Sequence, residues 1–144
     1  MKTLFTAKAI AKDGRNGHTQ TTDGKLSFTM SPPDKTKDAN ATNPEELFAC
    51  AYAACFGGAL AAVAEKKKIP VKNAKVTAEV SLNNDEQKGF FLSATLDVSI
   101  PDLDSAEAEN LVQAAHQVCP YSKATRGNID VTLKVNNHQL AKAA

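Results

Sequence analysis

The chain has 144 residues, a formal net charge of +1 at pH 7, 42% hydrophobic residues and 23% charged residues. These values are ordinary for one soluble globular domain that can bury a substantial core. Because lysine and arginine are scattered along the sequence, charge gives no reason to expect a nucleic acid or an anionic membrane as partner.

The first residues carry lysines but no apolar run of the length that a signal peptide needs, so we expect a cytoplasmic protein. Cysteines in that compartment stay reduced unless they carry redox chemistry. Cys50, Cys55 and Cys119 are therefore expected to be free thiols, metal ligands or catalytic groups.

The N-terminal third predicts three short strands, over residues 4–11, 19–22 and 25–30. Asp23-Gly24 between the last two is a tight hairpin signal. Arg15 lies in the loop D-G-R-N-G, where a glycine on either side can hold an unusual backbone shape. Taken alone, a loop arginine is most simply a solvated side chain.

The next segment, LFACAYAACFGGALAAVA at 47–64, runs 18 residues without a charge and contains eight alanines. It is just long enough to consider a membrane span. Its small side chains instead favour a buried helix of a soluble protein, against which other backbones approach closely. Asn43 is placed to cap this helix, Pro44 suits its first position, and Glu46 completes a capping box.

Residues 74–82 and 92–100 alternate between apolar and polar side chains and predict two strands of an antiparallel hairpin. Asp104 begins a second, amphipathic helix, which ends at Cys119 because Pro120 follows. A last strand is expected over 129–135. The order β-β-β-α-β-β-α-β predicts an α+β fold with mostly antiparallel sheets, as a single domain over 1–137 with a flexible tail over 138–144.

A buried cysteine is usually an inert small hydrophobe, but two positions favour reactivity. Cys119 lies where a helix must stop, so we expect an accessible sulfur, and Cys55 lies beside the most open part of the Ala/Gly helix. Cys50 and Cys55 are five residues apart, which places them about 140° apart around a helix and beyond disulfide reach. If one of them pairs with Cys119, the other has a packing role.

A reactive cysteine must be a thiolate. Cys55 lies about three turns into its helix, too far for the helix dipole to help, and burial raises a thiol pKa. A positive charge must therefore come from elsewhere, and Arg15 and Arg126 are the only arginines. A zinc site built from the cysteines and His116 is an alternative, although structural zinc sites usually draw on tighter ligand pairs.

Three motifs resemble the organic hydroperoxide resistance proteins, a branch of the superfamily that includes osmotically inducible protein C. They are G-R-N-G-H at 14–18, A-T-N-P-E-E-L-F-A-C-A-Y-A-A-C-F at 41–56, and V-C-P-Y-S-K-A-T-R-G-N-I at 118–129. The last two are long and specific, and the resemblance covers roughly residues 3–135.

The resemblance implies an intertwined α+β homodimer that reduces organic and fatty-acid hydroperoxides, with dihydrolipoamide or a lipoylated protein as reductant and no bound cofactor or metal. Carried over by motif position, Cys55 would be the peroxidatic thiol and Cys119 the resolving thiol. Arg15 would be the activating cation and Glu45 its anchor. Glu45 and Cys55 lie about 15 Å apart along a continuous helix, so a bent helix or a partner chain is needed to unite them.

The sequence departs from the family pattern at three places: Cys50-Ala51 replaces two small residues, Lys123 replaces the usual Asn, and 83–89 lacks a glycine-rich hairpin. The extra Cys50 leaves open whether another disulfide forms. A non-catalytic thiol redox switch or a small-ligand module of the same fold is the alternative function, and turnover separates it from an enzyme.

Overall fold

A computed structural model describes residues 1–35 and 38–140. Residue contacts divide the chain into two compact units, residues 1–47 and 48–144. The single domain over 1–137 stays a prediction.

The first unit contains a three-stranded antiparallel sheet of β1 (Ala9–Lys12), β2 (His18–Thr21) and β3 (Ser27–Thr29), in the order β1-β2-β3. The predicted hairpin turn is confirmed, because the Gly24 N–H donates to the Thr21 carbonyl at 3.0 Å. The predicted strand over 4–11 was too long at its start. β1 begins only at Ala9, which already faces the last residue of β2, so earlier residues run past the end of that strand.

Helix α1 spans Pro44–Lys67 and begins as the capping residues predict. The Asn43 side-chain oxygen accepts the Glu46 N–H at 2.9 Å, which satisfies one backbone donor of the first turn. The Glu46 carboxylate departs from the capping-box pattern and accepts the Thr42 hydroxyl at 2.7 Å.

The prediction of a buried helix holds for only one face of α1. Tyr52, Phe56 and Leu60 are buried, whereas small residues about one turn apart form an exposed stripe: Cys50, Ala54, Gly58 and Ala61. By length and composition α1 is also apolar enough to cross a membrane. Its buried face contributes to the core of the second unit, as in a core helix: Tyr52, Phe56, Ala59, Leu60 and Ala64.

The second unit contains a four-stranded sheet in the order β4-β5-β6-β7. β4 (Lys75–Asp85) and β5 (Gly89–Ser99) form the predicted antiparallel hairpin, with Val76 facing Val98 in register. β6 (Asp130–Val135) pairs with β5 in parallel, which a pattern of hairpins does not predict. The intervening helices form the crossover that a parallel pair requires.

Helices α2 (Ser105–Val118) and α3 (Pro120–Thr125) make this crossover. Asp104 caps α2 by accepting the Glu107 N–H at 3.0 Å, as predicted. The predicted helix end at Cys119 is also confirmed, but the sequence reading missed α3. Pro120 ends one helix and begins the next, because its missing N–H and fixed φ suit a first helical position.

The core of the second unit forms between the sheet, α1 and α2. Alternate residues of β5 point into this core, as the sequence pattern predicts. The most deeply buried core residues are 0 or 1% exposed: Tyr52, Phe56, Leu96, Val98, Ile100, Ala108, Leu111, Val112, Ala115 and Cys119.

The prediction of a flexible tail was wrong for residues 138–140. β7 (His138–Gln139) pairs with β6, and Leu140 is buried with its N–H bonded to the Leu133 carbonyl at 2.9 Å. Asn136 and Asn137 both take positive φ and make the tight turn that returns the chain. Residues 141–144 of the predicted tail lie outside the described residues.

Candidate active site

The sulfurs of Cys55 and Cys119 lie 3.7 Å apart in the second unit, with the Cys119 thiol donating toward Cys55. Both are free thiols. Cys55 is half-buried on α1, whereas Cys50 is exposed, as their separation around the helix predicts. The structure therefore brings Cys55, and not Cys50, together with Cys119.

The accessible sulfur predicted for Cys119 was wrong, because its relative exposure is 0%. Its backbone is extended (φ −58°, ψ 124°) between two helices. The Cys119 N–H donates to Ala115 at 2.9 Å, and its carbonyl accepts the Lys123 N–H at 3.0 Å. Because the chain continues at once into α3, Cys119 forms a fixed, enclosed corner between α2 and α3.

The pKa of Cys55 is raised above its ordinary value, chiefly because burial disfavours the thiolate. The Tyr121 backbone N–H, which bonds to the sulfur, opposes this by lowering the pKa, while the neighbouring Cys119 thiol raises it further. None of these three influences is a positive charge. The expectation that burial raises the pKa of this thiol is confirmed.

Aromatic side chains surround this part of α1. Phe48, Tyr52 and Tyr121 form a cluster in which each pair of ring centroids lies 5.8 or 5.9 Å apart. Phe48 and Tyr121 are partly exposed and Tyr52 is fully buried. Cys55 follows Tyr52 by one turn, so its sulfur lies beside apolar surface.

Arg15 and Glu45 form a two-bond ion pair in the first unit. The guanidinium donates to both carboxylate oxygens, at 2.9 and 2.5 Å. This pairing lowers the pKa of the Glu45 carboxyl, with the hydrogen bonds from Arg15 as the largest cause. The Arg15 side chain remains 49% exposed and that of Glu45 only 14%, so the arginine is anchored without being enclosed.

The loop that carries Arg15 has the unusual backbone shape that its glycines predict. Asp13 and Gly14 both take left-handed φ values, 58° and 55°. A side chain at Gly17 would overlap the Lys12 carbonyl oxygen, so this close approach requires glycine. The backbone of this loop therefore sets the position from which the Arg15 side chain extends.

A chain of buried hydrogen bonds was missed in the sequence. The Ser122 hydroxyl contacts the Tyr52 hydroxyl at 3.0 Å and His116 Nδ1 at 3.0 Å, and the Tyr52 hydroxyl also contacts Thr125 at 3.3 Å. Tyr52, Ser122 and Thr125 are all at most 2% exposed. His116 thus bonds to a serine through its Nδ1 atom.

Among residues 1–35 and 38–140, no three His, Cys, Asp or Glu side chains converge as a metal site would require.

The OsmC-like protein family model matches residues 35–134. The organic hydroperoxide resistance protein OhrB of Bacillus subtilis is 50% identical over 134 residues, which cover 92% of this chain and 98% of that protein. The organic hydroperoxide resistance protein of Xanthomonas axonopodis pv. citri is 45% identical over 139 residues, covering 92% and 94%.

Solved structures agree with these sequence matches. The crystal structure of Bacillus subtilis OhrB matches with a TM-score of 0.85 and 48% identity, over 92% of this chain and 99% of that one. An organic hydroperoxide resistance protein from Elizabethkingia anophelis, with thiocyanate bound, matches with a TM-score of 0.85 and 46% identity over 96% and 100%. The fold is that of the OsmC-like proteins, and the chain belongs to their organic hydroperoxide resistance family.

Proposed function

We propose that the chain is a cysteine-based peroxidase that reduces organic hydroperoxides, including those of fatty acids, to alcohols in the cytoplasm. The 3.7 Å approach of the Cys55 and Cys119 sulfurs carries this proposal. Two thiols this close can become a disulfide with little backbone movement, as a peroxidase cycle requires.

The proposed cycle has three balanced steps. The Cys55 thiolate attacks the distal oxygen of ROOH, the O–O bond breaks, and the alkoxide takes a proton and leaves as alcohol. Cys55 is then a sulfenic acid. Cys119 condenses with it, releasing water and forming a disulfide. A dithiol reduces that disulfide by exchange and becomes a disulfide itself.

Exposure supports this division of roles between the two cysteines. Cys55 is half-buried, so a hydroperoxide can reach its sulfur. Cys119 is fully buried, and the Cys55 sulfur is a group within its reach. A buried thiol beside a reachable one suits the resolving role, because it is protected from peroxide until its neighbour has reacted.

Burial raises the pKa of Cys55, so the thiolate needs a cation, and Arg15 is our candidate. Its planar guanidinium can hold Glu45 with two donors and offer others to sulfur and to the departing oxygen. Glu45 thereby orients the arginine and stabilises its charge.

We further propose a homodimer in which the Arg15–Glu45 pair of one chain serves Cys55 of the second. Glu45 and Cys55 are ten residues apart on one continuous helix, about 15 Å along its axis. Two exposed surfaces favour association with a second copy of the chain. One is the small-residue stripe of α1. The other is formed by exposed apolar side chains of the first unit: Leu4, Phe5, Ile10 and Leu26.

Mixed dimers test this arrangement. Neither Arg15→Ala nor Cys55→Ser should be active alone. If Arg15 acts across the dimer, a mixed dimer of the two variants contains one intact site and recovers about half of wild-type activity. An inactive mixed dimer would show that Arg15 and Cys55 of the same chain act together.

The partly exposed rings of Phe48 and Tyr121 favour an apolar alkyl chain over hydrogen peroxide, since contact with these rings removes that chain from water. The family resemblance supplies the proposed reductant, dihydrolipoamide or a lipoylated protein. Such a dithiol would attack the Cys55 sulfur of the disulfide, because that sulfur is the less buried of the two.

The decisive assay measures hydroperoxide consumption with dihydrolipoamide as reductant. We expect many equivalents of tert-butyl and linoleic acid hydroperoxide to be consumed per chain, and hydrogen peroxide to be consumed more slowly. Consumption that stops after one equivalent, with the dithiol present, would instead identify a thiol redox switch.

A further inference from the structure

The direction of each hydrogen bond in the buried network follows from the single proton that each hydroxyl group can donate. Thr125 donates its single hydroxyl proton to the Ser122 carbonyl at 3.2 Å. The Tyr52 hydroxyl must therefore donate to Thr125, and the Ser122 hydroxyl must donate to Tyr52. The remaining contact requires His116 to carry a proton on Nδ1. The result is a one-directional chain from His116 through Ser122 and Tyr52 to Thr125.

The members of this hydrogen-bond network flank Cys119 in the sequence and connect three helices in the structure. His116 lies three residues before Cys119 on α2, and Ser122 lies three residues after it on α3. The two meet at one atom, the Ser122 hydroxyl oxygen. Through Tyr52 the same oxygen is bonded to α1, one turn before Cys55. The network therefore fixes the corner that holds one sulfur against the helix that holds the other.

We propose that Tyr52, Ser122 and His116 are positioning residues for disulfide closure, an inference that rests on the proposed peroxidase function. They hold the corner at Cys119 so that its sulfur reaches the Cys55 sulfenic acid before a second hydroperoxide does.

The closing step shows why position matters. The Cys119 sulfur bonds to the Cys55 sulfur, the S–O bond of the sulfenic acid breaks, and the hydroxyl leaves with the Cys119 proton as water. Cys119 is oxidised as the sulfenic sulfur is reduced, so no outside electron donor is needed. The sulfurs must close from 3.7 Å to about 2.05 Å. A corner free to swing away would leave the sulfenic acid open to sulfinic acid formation.

Tyr52→Phe tests the proposal, because it removes one hydroxyl and keeps the ring that contacts Phe48 and Tyr121. We expect Cys55 to be oxidised by one equivalent of tert-butyl hydroperoxide at the wild-type rate. Disulfide closure, followed by quenched-flow mass spectrometry, should slow roughly five- to tenfold, the factor that one lost buried hydrogen bond represents. The sulfinic acid fraction at a given hydroperoxide concentration should rise accordingly.

A second pair of variants separates positioning from general stability. His116→Asn keeps an N–H donor near the Nδ1 position and should close the disulfide almost as fast as wild type, whereas His116→Leu should not. Val98→Ala, a fully buried core position in β5 outside the network, should lower thermal stability without changing the closure rate. Each variant is first confirmed to be folded by circular dichroism.

Two results would overturn the proposal: wild-type closure rates in both Tyr52→Phe and His116→Leu, or equal slowing in Val98→Ala. If Tyr52→Phe does not fold, the His116 pair decides by the same criterion. A wild-type protein that consumes no hydroperoxide would contradict the proposed function itself, whereas normal consumption with unchanged closure in the variants would contradict only the positioning role.

Discussion

The two units of this chain place their chemistry in opposite surroundings. The second unit has a packed core, and its two sulfurs lie at the edge of that core or within it. Of the residues described in the first unit, only Met30 and Asn43 are buried, and its ion pair joins the loop between β1 and β2 to the first turn of α1, with the arginine half exposed. The two thiols are therefore held by packing, whereas the arginine is held by hydrogen bonds.

The low burial of the first unit also bears on whether the chain associates with a second copy. A three-stranded sheet with few buried side chains is not stable alone in water and needs another surface to cover it. Phe5 in the first unit is 85% exposed, whereas Phe56 in the second is fully buried. We therefore expect the first unit to depend on a second copy of the chain, and the second unit to retain its core more readily.

The largest expected effect is that of Cys55→Ser in the second unit. A serine hydroxyl does not ionise near neutral pH, so turnover should fall on the order of 10⁴-fold or more. Steady-state hydroperoxide consumption with dihydrolipoamide measures this. Cys50→Ser is the matched control, because Cys50 is an exposed thiol on the same helix and should be replaceable with less than about a twofold change. Comparable losses in the two variants would show that the nucleophile is wrongly assigned.

Cys119→Ser should separate the two half-reactions within the second unit. The first oxidation does not require Cys119, so one equivalent of hydroperoxide should be consumed at the wild-type rate. The sulfenic acid should then persist, react with dimedone, and pass to sulfinic acid under excess hydroperoxide. Mass spectrometry of the dimedone adduct checks this, and failure of the first oxidation would place Cys119 in the peroxidatic step instead.

Arg15→Lys tests whether the first unit contributes geometry as well as charge. Lysine keeps the positive charge but not the planar fork that engages both Glu45 oxygens. We expect the oxidation of Cys55 to slow about tenfold, the scale of one lost charge-assisted hydrogen bond. Stopped-flow measurement with one equivalent of hydroperoxide provides the rate, and a Lys variant as fast as wild type would reduce the role of Arg15 to net charge.

The smallest expected effect concerns pH and the first unit. The folded-state pKa of Glu45 lies below its ordinary value of 4.5, so the unfolded chain binds more protons in the interval between the two. The stability that the pair contributes is therefore present above pH 4.5 and lost as pH falls through the folded pKa. Since Arg15 is half exposed, we expect at most about 1 kcal/mol.

Denaturant unfolding of wild type and Glu45→Gln as a function of pH measures this contribution. The difference between the two free energies of unfolding should be constant above pH 5 and should shrink below 4.5. A difference that grows on acidification would contradict the assigned sign.

Capping residues and apolar/polar alternation in the sequence were sufficient to predict the helices and strands that depend on neighbouring residues alone. Capping residues indicate the start of α1 and α2, and the alternation in β4 and β5 indicates which of their faces points inward. The parallel pairing of β6 was not predictable in this way, because it depends on where a crossover returns the chain. α3 was missed because a proline was considered only as the end of one helix.

The candidate site shows the same contrast between residues that local motifs identify and contacts that depend on the fold. The motifs identified Cys55, Cys119, Arg15 and Glu45 as candidates, and the structure pairs the first two and the last two. Their catalytic roles stay predictions. The bond between Tyr52 and Ser122 links residues 70 positions apart, and no periodicity in the sequence reports such a contact. The available signal was a tyrosine within an uncharged, alanine-rich helix, since the hydroxyl of a buried tyrosine needs a partner.

The most direct test of the proposed Cys55–Cys119 pairing is mass spectrometry of the wild-type protein after one equivalent of tert-butyl hydroperoxide, without reductant. This pairing predicts an intramolecular Cys55–Cys119 disulfide as the dominant product, with Cys50 recovered as a free thiol. A dominant Cys50–Cys119 bridge, a disulfide between chains, or unmodified Cys55 would contradict it.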